Sequence, residues 1–202
     1  MSGVEDCNAP QSPRLAKRAL REKLRLAKRR MTEADRREQS DQICLSVLAS
    51  SIWTEAESIL LYSPLGSEVD VNSLIENGLR EKKFISLPRY EPSDQSYVPC
   101  AIRGDGDVVE GAFGVREPSL ECVKIDPSQL DLVIVPGVGF DALGTRLGRG
   151  GGHYDRLLRG LTATICGVCF RQQVLPRIPE EAHDIKMDRI ATPDGWLVGS
   201  PE

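Results

Sequence analysis

The sequence predicts a three-layer α/β/α domain on a mainly parallel sheet, and three observations carry that prediction. Short apolar runs alternate with segments of helical periodicity along most of the chain. The runs are apolar throughout rather than apolar at every second residue, as in strands covered on both faces. The length, 202 residues with 40% hydrophobic and 28% charged side chains, suits one packed domain and excludes disordered or fibrous classes.

Residues 1–13 hold two prolines and no periodicity, and are expected to form a mobile tail ahead of a single domain over 14–202. From Arg14, apolar positions fall at Leu15, Ala19, Leu20, Leu24, Ala27 and Met31, a helical spacing with basic residues on the other face. Thr32 followed by Asp35 predicts the N-cap of a second helix through about Ala49. Ser58 to Tyr62 is a buried strand leading into Ser63-Pro64. Asp70 caps a helix through Leu79, and Lys83 to Leu87 is a strand stopped by Pro88. Tyr97 to Ile102 is a further strand, and 103–128 is rich in Gly, Pro and Asp with weak signals of order. Asp131 to Val135 is the clearest buried strand. A long glycine-rich loop follows it, then a helix from about Gly152 to Arg159 and a strand from Thr164 to Phe170. Trp53 and Trp196 read as core or lid residues.

Six cysteines, at 7, 44, 100, 122, 166 and 169, are too sparse for a disulfide scaffold. Cys166 and Cys169 form a C-x-x-C, but on a strand their side chains point to opposite faces, so a buried structural role is expected over redox or zinc chemistry. No apolar run approaches the roughly 20 residues that span a bilayer. The opening MSGVEDCNAP is acidic and has neither a secretory nor a transit-peptide pattern. A cytoplasmic location is expected, with an organelle left open if a targeting segment was trimmed.

The net charge of −4 hides an asymmetry. Eleven cations against three acids between Arg14 and Arg37 give that segment +8 and leave the rest of the chain at −12. Such a cationic arm on an acidic body expects an anionic partner. It contains no Phe, Tyr or Trp, which argues against nucleic-acid stacking.

The most informative segment is PGVGFDALGTRLGRGGGHYDR, Pro136 to Arg156. It leaves a buried strand and opens a helix, where open α/β sheets bind ligands. Gly144, Gly148, Gly150, Gly151 and Gly152 let successive N–H groups cup an oxyanion, and Arg146 and Arg149 add forked donors, so phosphate is the natural ligand. Asp155 could hold a Mg²⁺ that bridges phosphate oxygens. The spacing is neither a Walker A loop nor a Rossmann fingerprint, and a plain glycine-rich turn with a capping Asp stays open on these residues alone.

The same segment resembles the signature PGxxFDxxGxRLGxGxGYYDR of the 5-formyltetrahydrofolate cyclo-ligase family. Further landmarks of that family occur in order: Lys17 to Arg21, Ser67 to Asp70, Leu87 to Tyr90, and His183-Asp184 followed by Asp188. The resemblance spans about residues 14–192 and implies an α/β enzyme. Such an enzyme takes 5-formyltetrahydrofolate, ATP and Mg²⁺ to 5,10-methenyltetrahydrofolate, ADP and phosphate.

Residue by residue, the resemblance implies that Lys17, Arg18, Ala19, Leu20 and Arg21, with Arg146, Leu147, Gly148, Arg149, Gly150, Gly151, Gly152, His153 and Tyr154, bind ATP. It implies that Ser63, Glu68, Tyr90 and the stretch Arg149 to His153 bind folate, with Tyr62 and Pro64 lining the same cleft. Asp155 and Asp184 match the magnesium positions, and Arg149 and Asp155 are the expected catalytic residues. Arg89 is a weaker candidate for an anion contact, and Lys28 and Arg29 read as a solvated face. His153 stands where the family pattern has Tyr, which puts the folate contacts in question. No membrane partner is expected, and the oligomeric expectation is a monomer or weak homodimer. The alternatives are a phosphate-binding sugar-phosphate isomerase or CoA-transferase-like enzyme, or a non-catalytic polyanion-binding protein.

Overall fold

The computed structural model describes residues 12–111 and 114–197. Most of the expected tail, with Cys7, lies outside the described residues. The helices are α1 (Pro13–Arg29), α2 (Glu33–Leu48), α3 (Ser51–Thr54), α4 (Asn72–Arg80) and α5 (His153–Leu157). The strands are β1 (Ser58–Leu60), β2 (Phe84–Glu91), β3 (Ser96–Ala101), β4 (Val108–Glu110), β5 (Arg116–Pro118), β6 (Leu132–Pro136), β7 (Gly139–Asp141), β8 (Arg146–Leu147), β9 (Thr164–Val168), β10 (Val174–Leu175), β11 (Arg189–Thr192) and β12 (Gly195–Leu197).

The central sheet has seven strands in the order β12-β11-β9-β6-β1-β2-β3. Its five inner strands are parallel, and β12 and β3 close the two edges antiparallel. The apolar run of β6 explains the layering. Leu132 and Ile134 enter a cluster with Ile43, Val47, Trp53 and Leu74 of α2, α3 and α4. Val133 and Val135 enter a second cluster on the other face, with Phe140, Leu157 and Leu158. Cys166 and Cys169 divide between the same two clusters. Burial pushes both thiols up to about 12, so they are unreactive packing residues.

Local chemistry sets several boundaries. Thr32 accepts from the Asp35 N–H at 3.1 Å while Asp35 accepts from the Thr32 N–H at 3.0 Å, a reciprocal cap that starts α2 where the sequence placed it. Asp70 accepts from the Asn72 N–H at 3.0 Å, but Val71 is the cap residue, so α4 begins slightly later than expected.

Pro88 does not stop β2. Beyond Ser86 this strand pairs only with β3, where Pro88 faces Pro99, so its missing donor interrupts no second ladder. The described part of the stretch 103–128 is ordered more than its composition suggested. It carries the β4–β5 pair and two short 3₁₀ turns, held largely by Asp side chains such as Asp107 on the Arg103 N–H at 2.7 Å. The glycine-rich loop contains β7 and β8, which with β10 form a small separate sheet, and α5 is five residues rather than eight. Trp53 is fully buried, and Trp196 packs at the core's margin. Among the described residues, no helix is long and apolar enough to cross a membrane.

The helix α1 docks on the small sheet through Leu24, which packs with Leu147, Leu175 and Ile178. Gly139 of β7 lies under it so closely that an added Cβ would fall 2.6 Å from a Leu24 methyl. Replacing Leu24 by Ala should cost about 2–5 kcal/mol in urea denaturation, the range for opening a cavity at a buried leucine. A loss under about 0.5 kcal/mol would show that α1 is held by its charges alone.

A cleft between the basic helix and the glycine loop

Beyond the carboxyl ends of β1 and β6 the chain opens a cleft of about 720 Å³. Its floor starts at Tyr62 and Ser63 after β1 and at Pro136 and Gly137 closing β6, the divergence point that parallel sheets use for ligands. One wall is α1, and another is the glycine loop with the start of α5. The third is the β2–β3 hairpin.

The glycine loop is anchored at its base by Asp141, which is fully buried. Its Oδ1 accepts from the Leu143 and Thr145 N–H groups, both at 3.0 Å, and its Oδ2 from the Ile178 N–H at 2.8 Å. Gly144 turns this hairpin at φ +81°, and a Cβ there would lie 2.6 Å from the Met187 carbonyl oxygen, so only glycine fits. Further on, Gly150 sits at φ +104° under the Arg21 guanidinium. The Arg21 Nε donates to the Gly148 carbonyl at 2.8 Å, which fastens α1 across the loop.

One turn earlier on α1, the buried Lys17 ammonium donates to Glu181 at 2.8 Å and to Asp184 at 2.5 Å. Burial alone would lower its pKa, but the hydrogen bonds to Asp184 and then Glu181 outweigh that and hold it above the ordinary value. The Lys17 bond in turn holds the Glu181 carboxyl below its ordinary range. Asp184 also accepts from the Glu181 N–H at 2.8 Å. Ligand atoms of Glu181, His183 and Asp184 lie within 4.8 Å of one another. Carboxylate oxygens are the donor type a hard divalent cation takes, so Asp184 fits the magnesium expectation. Asp155 stands apart from this group and pairs with the buried Arg146 at 2.8 Å. Arg146 also lies 5.5 Å over the Tyr154 ring, while its Nε has no hydrogen-bond partner among the described residues.

Across the cleft Arg149 donates to Glu68 at 2.7 Å, and Glu68 accepts from the Leu65 N–H at 3.0 Å. Tyr90, Tyr97, His153 and Tyr154 form a run of ring contacts with centroids 5.3–6.0 Å apart. The Tyr62 hydroxyl donates to the Val69 carbonyl at 2.7 Å, and burial pushes the pKa of both Tyr62 and Tyr154 upward.

The cleft gathers Lys17, Arg21, Ser63, Glu68 and Tyr90, the whole stretch from Arg146 to Asp155, and Asp184. It does not gather three residues of the basic motif. Arg18 and Ala19 lie on the exposed side of α1, and Leu20 turns into the Leu24 cluster, because three consecutive helical residues cannot share one face. Pro64 is outside the lining. Arg89 is buried beneath it, donating to the Ser119 carbonyl at 2.7 Å and to Glu91 at 3.0 Å. Lys28 is half-buried rather than on a solvated face. Burial lowers its pKa, with Arg149 and Arg36 adding to that and Glu68 opposing it. Arg29 is exposed as expected.

Sequence reasoning missed Tyr97, Arg14, Arg116, Glu117 and Glu181, all of which line the cleft. Arg14 left a signal only as one cation of the basic arm, and Tyr97 left one through its strand. A hairpin pairing of the two strands places it opposite Tyr90.

A family model described as the 5-formyltetrahydrofolate cyclo-ligase family matches residues 13–193. The chain is 30% identical over 194 residues to the 5-formyltetrahydrofolate cyclo-ligase of Mycolicibacterium smegmatis, covering 93% of this chain and 98% of that one. It is 26% identical over 191 residues to the Mus musculus protein of the same name, covering 89% and 94%. The NMR structure of Aquifex aeolicus 5,10-methenyltetrahydrofolate synthetase superposes with a TM-score of 0.81 at 31% identity, over 90% of this chain and 92% of that one. A Mycoplasma pneumoniae 5,10-methenyltetrahydrofolate synthetase shares the fold, with a TM-score of 0.71 at 22% identity over 88% and 98%.

The Lys17 bridge has a pH signature. A carboxylate with a depressed folded pKa adds stability above its ordinary pKa and loses it as pH falls through the folded value. A raised lysine adds stability below its ordinary pKa and loses it as pH rises through the folded value. The stability difference between wild type and Lys17→Met should therefore be flat between roughly pH 6 and 9. It should shrink in acid below 4.5 and in base above 10.5. Urea denaturation across pH checks this, and a difference independent of pH would show that the bridge does not contribute.

Proposed function

Because the chain belongs to the 5-formyltetrahydrofolate cyclo-ligase family, we propose that it converts 5-formyltetrahydrofolate to 5,10-methenyltetrahydrofolate in this cleft, with ATP as co-substrate. Membership favours this reading over an isomerase, a CoA-transferase-like enzyme or a passive polyanion-binding protein. The formyl oxygen attacks the γ-phosphorus of ATP, and the bond to the ADP oxygen breaks. N10 then attacks the activated formyl carbon and closes the ring, the N10 proton is released, and the C–O bond breaks so that phosphate leaves with the former formyl oxygen. No enzyme nucleophile is required, so the work of the chain is positioning and charge neutralisation.

The observation that carries the reading is the junction of two halves around one space. Arg21 of α1 faces Gly148 and Gly150 while Lys17 lines the same cleft beside Glu181 and Asp184, so cations and a glycine-rich backbone border a site for a polyphosphate. Arg149 reaches from that loop to Glu68 on the opposite side, where the hairpin rings offer an aromatic wall to the pterin or benzoyl ring. In this reading Arg149 stabilises charge on the phosphoryl group in transfer, while Glu68 and Ser63 hold polar edges of the folate. Asp155 orients Arg146 through their ion pair. Asp184 and Asp155 are the residues assigned to Mg²⁺, which when bound supplies neutralisation of the triphosphate charge.

Among the described residues, five buried or half-buried free thiols at 44, 100, 122, 166 and 169 support a reducing, cytoplasmic setting for the reaction. We assign a single domain over 14–202, acting as a monomer or weak homodimer.

Mixing the protein with 5-formyltetrahydrofolate and MgATP should produce methenyl absorbance with stoichiometric ADP. Arg149→Ala and Asp155→Ala should each lower kcat/KM by at least roughly tenfold, the scale of losing about 1.4 kcal/mol of transition-state stabilisation. Wild-type rates in both variants would remove the glycine loop from the chemistry.

A further inference from the structure

The glycine loop and the β2–β3 hairpin meet a second time outside the cleft, at the hairpin's tip. There Gln95 turns the chain at φ +49°, an uncommon conformation for a side chain of its kind. Its carbonyl oxygen accepts from the Arg156 Nη2 at 2.8 Å, and the same nitrogen lies 3.0 Å from the His153 Nδ1. Arginine stays charged and donates only, so Nδ1 is the acceptor in this contact. The 3.3 Å approach of Nδ1 to the Gln95 oxygen is then two acceptors sharing one donor. The imidazole so fixed contacts Tyr90 at 5.8 Å and Tyr97 at 5.3 Å between ring centroids.

We propose that Arg156 is a positioning residue for the folate-facing wall. It ties α5 to the hairpin tip and fixes His153, Tyr90 and Tyr97 as one surface, against which a ring of the substrate packs. Arg156 is exposed and does not line the cleft, so it acts through the residues it holds. A planar guanidinium suits the task, since it meets two acceptors at once with strong, charge-assisted bonds. The substrate assignment rests on the cyclo-ligase reading, whereas the clasp itself rests only on these contacts. Because His153 supplies one acceptor, the departure from the family's Tyr-Tyr-Asp becomes part of how this chain sets its folate wall.

The test pairs kinetics with amide exchange on the ligand-free protein. Arg156→Met should raise the KM for 5-formyltetrahydrofolate roughly tenfold, about 1.4 kcal/mol, and leave the KM for ATP and kcat within about twofold. Arg156→Lys should recover part of the loss, because an ammonium can still donate to the Gln95 carbonyl. In ligand-free Arg156→Met the amides of residues 91–98 should exchange faster, with those of 148–152 unchanged. Unchanged exchange at 91–98, or a parallel rise in both KM values, would overturn the proposal. A wild-type protein that does not turn over 5-formyltetrahydrofolate would overturn the cyclo-ligase reading instead, and the exchange result would still judge the clasp.

Discussion

A fully buried carboxylate, that of Asp141, is the constraint on which the cleft depends. Taking a charge out of water costs several kcal/mol unless it is met by donors, and here three backbone N–H groups meet it. Two of them form the turn between β7 and β8, and the third belongs to Ile178, which leads to the Glu181–Asp184 group. One side chain thereby joins the base of the glycine loop to the segment that faces Lys17. The same junction is closed from the other side by the Met187 N–H on the Gly144 carbonyl at 2.8 Å. Truncating the side chain would leave these three donors without their acceptor in a buried site.

On that frame the charges of α1 make physical sense. A helix with this many cations has no reason to lie down unless something anionic receives it. Glu181 and Asp184 take Lys17, and the Gly148 carbonyl takes Arg21. Leu20 and Leu24 supply the apolar half of the contact. The arm is thus docked by a mixture of burial and charge, and of its cations Arg14, Lys17 and Arg21 line the cleft.

The fold was legible where its causes are local. The doubly covered strand at 132–136, the reciprocal cap at Thr32 and Asp35, and the opposed faces of Cys166 and Cys169 follow from periodicity and capping within a few residues. What was not legible depends on partners distant in sequence. Pro88 continues a strand because only one neighbour is present there, a fact of sheet order rather than of the peptide. Lys28 reads as a solvent cation until α1 docks beside Glu68 and Arg149. Arg18, Ala19 and Leu20 stand outside the cleft lining, since a linear match ignores which way each helical residue faces. Tyr97 and Glu181 belong to the cleft only through tertiary contact, and Arg156 acts at its back through a carbonyl that no side-chain pattern reveals.

The central claim is that α1 and the glycine loop together grip the nucleotide while the hairpin wall takes the folate. Hydrogen exchange with a non-hydrolysable ATP analogue and Mg²⁺ tests it most directly. The account predicts that the analogue slows amides of 147–154 and of the Lys17–Arg21 turn, and leaves 90–98 unaltered until 5-formyltetrahydrofolate is added. Protection by the analogue at 90–98 with none in the glycine loop would contradict it.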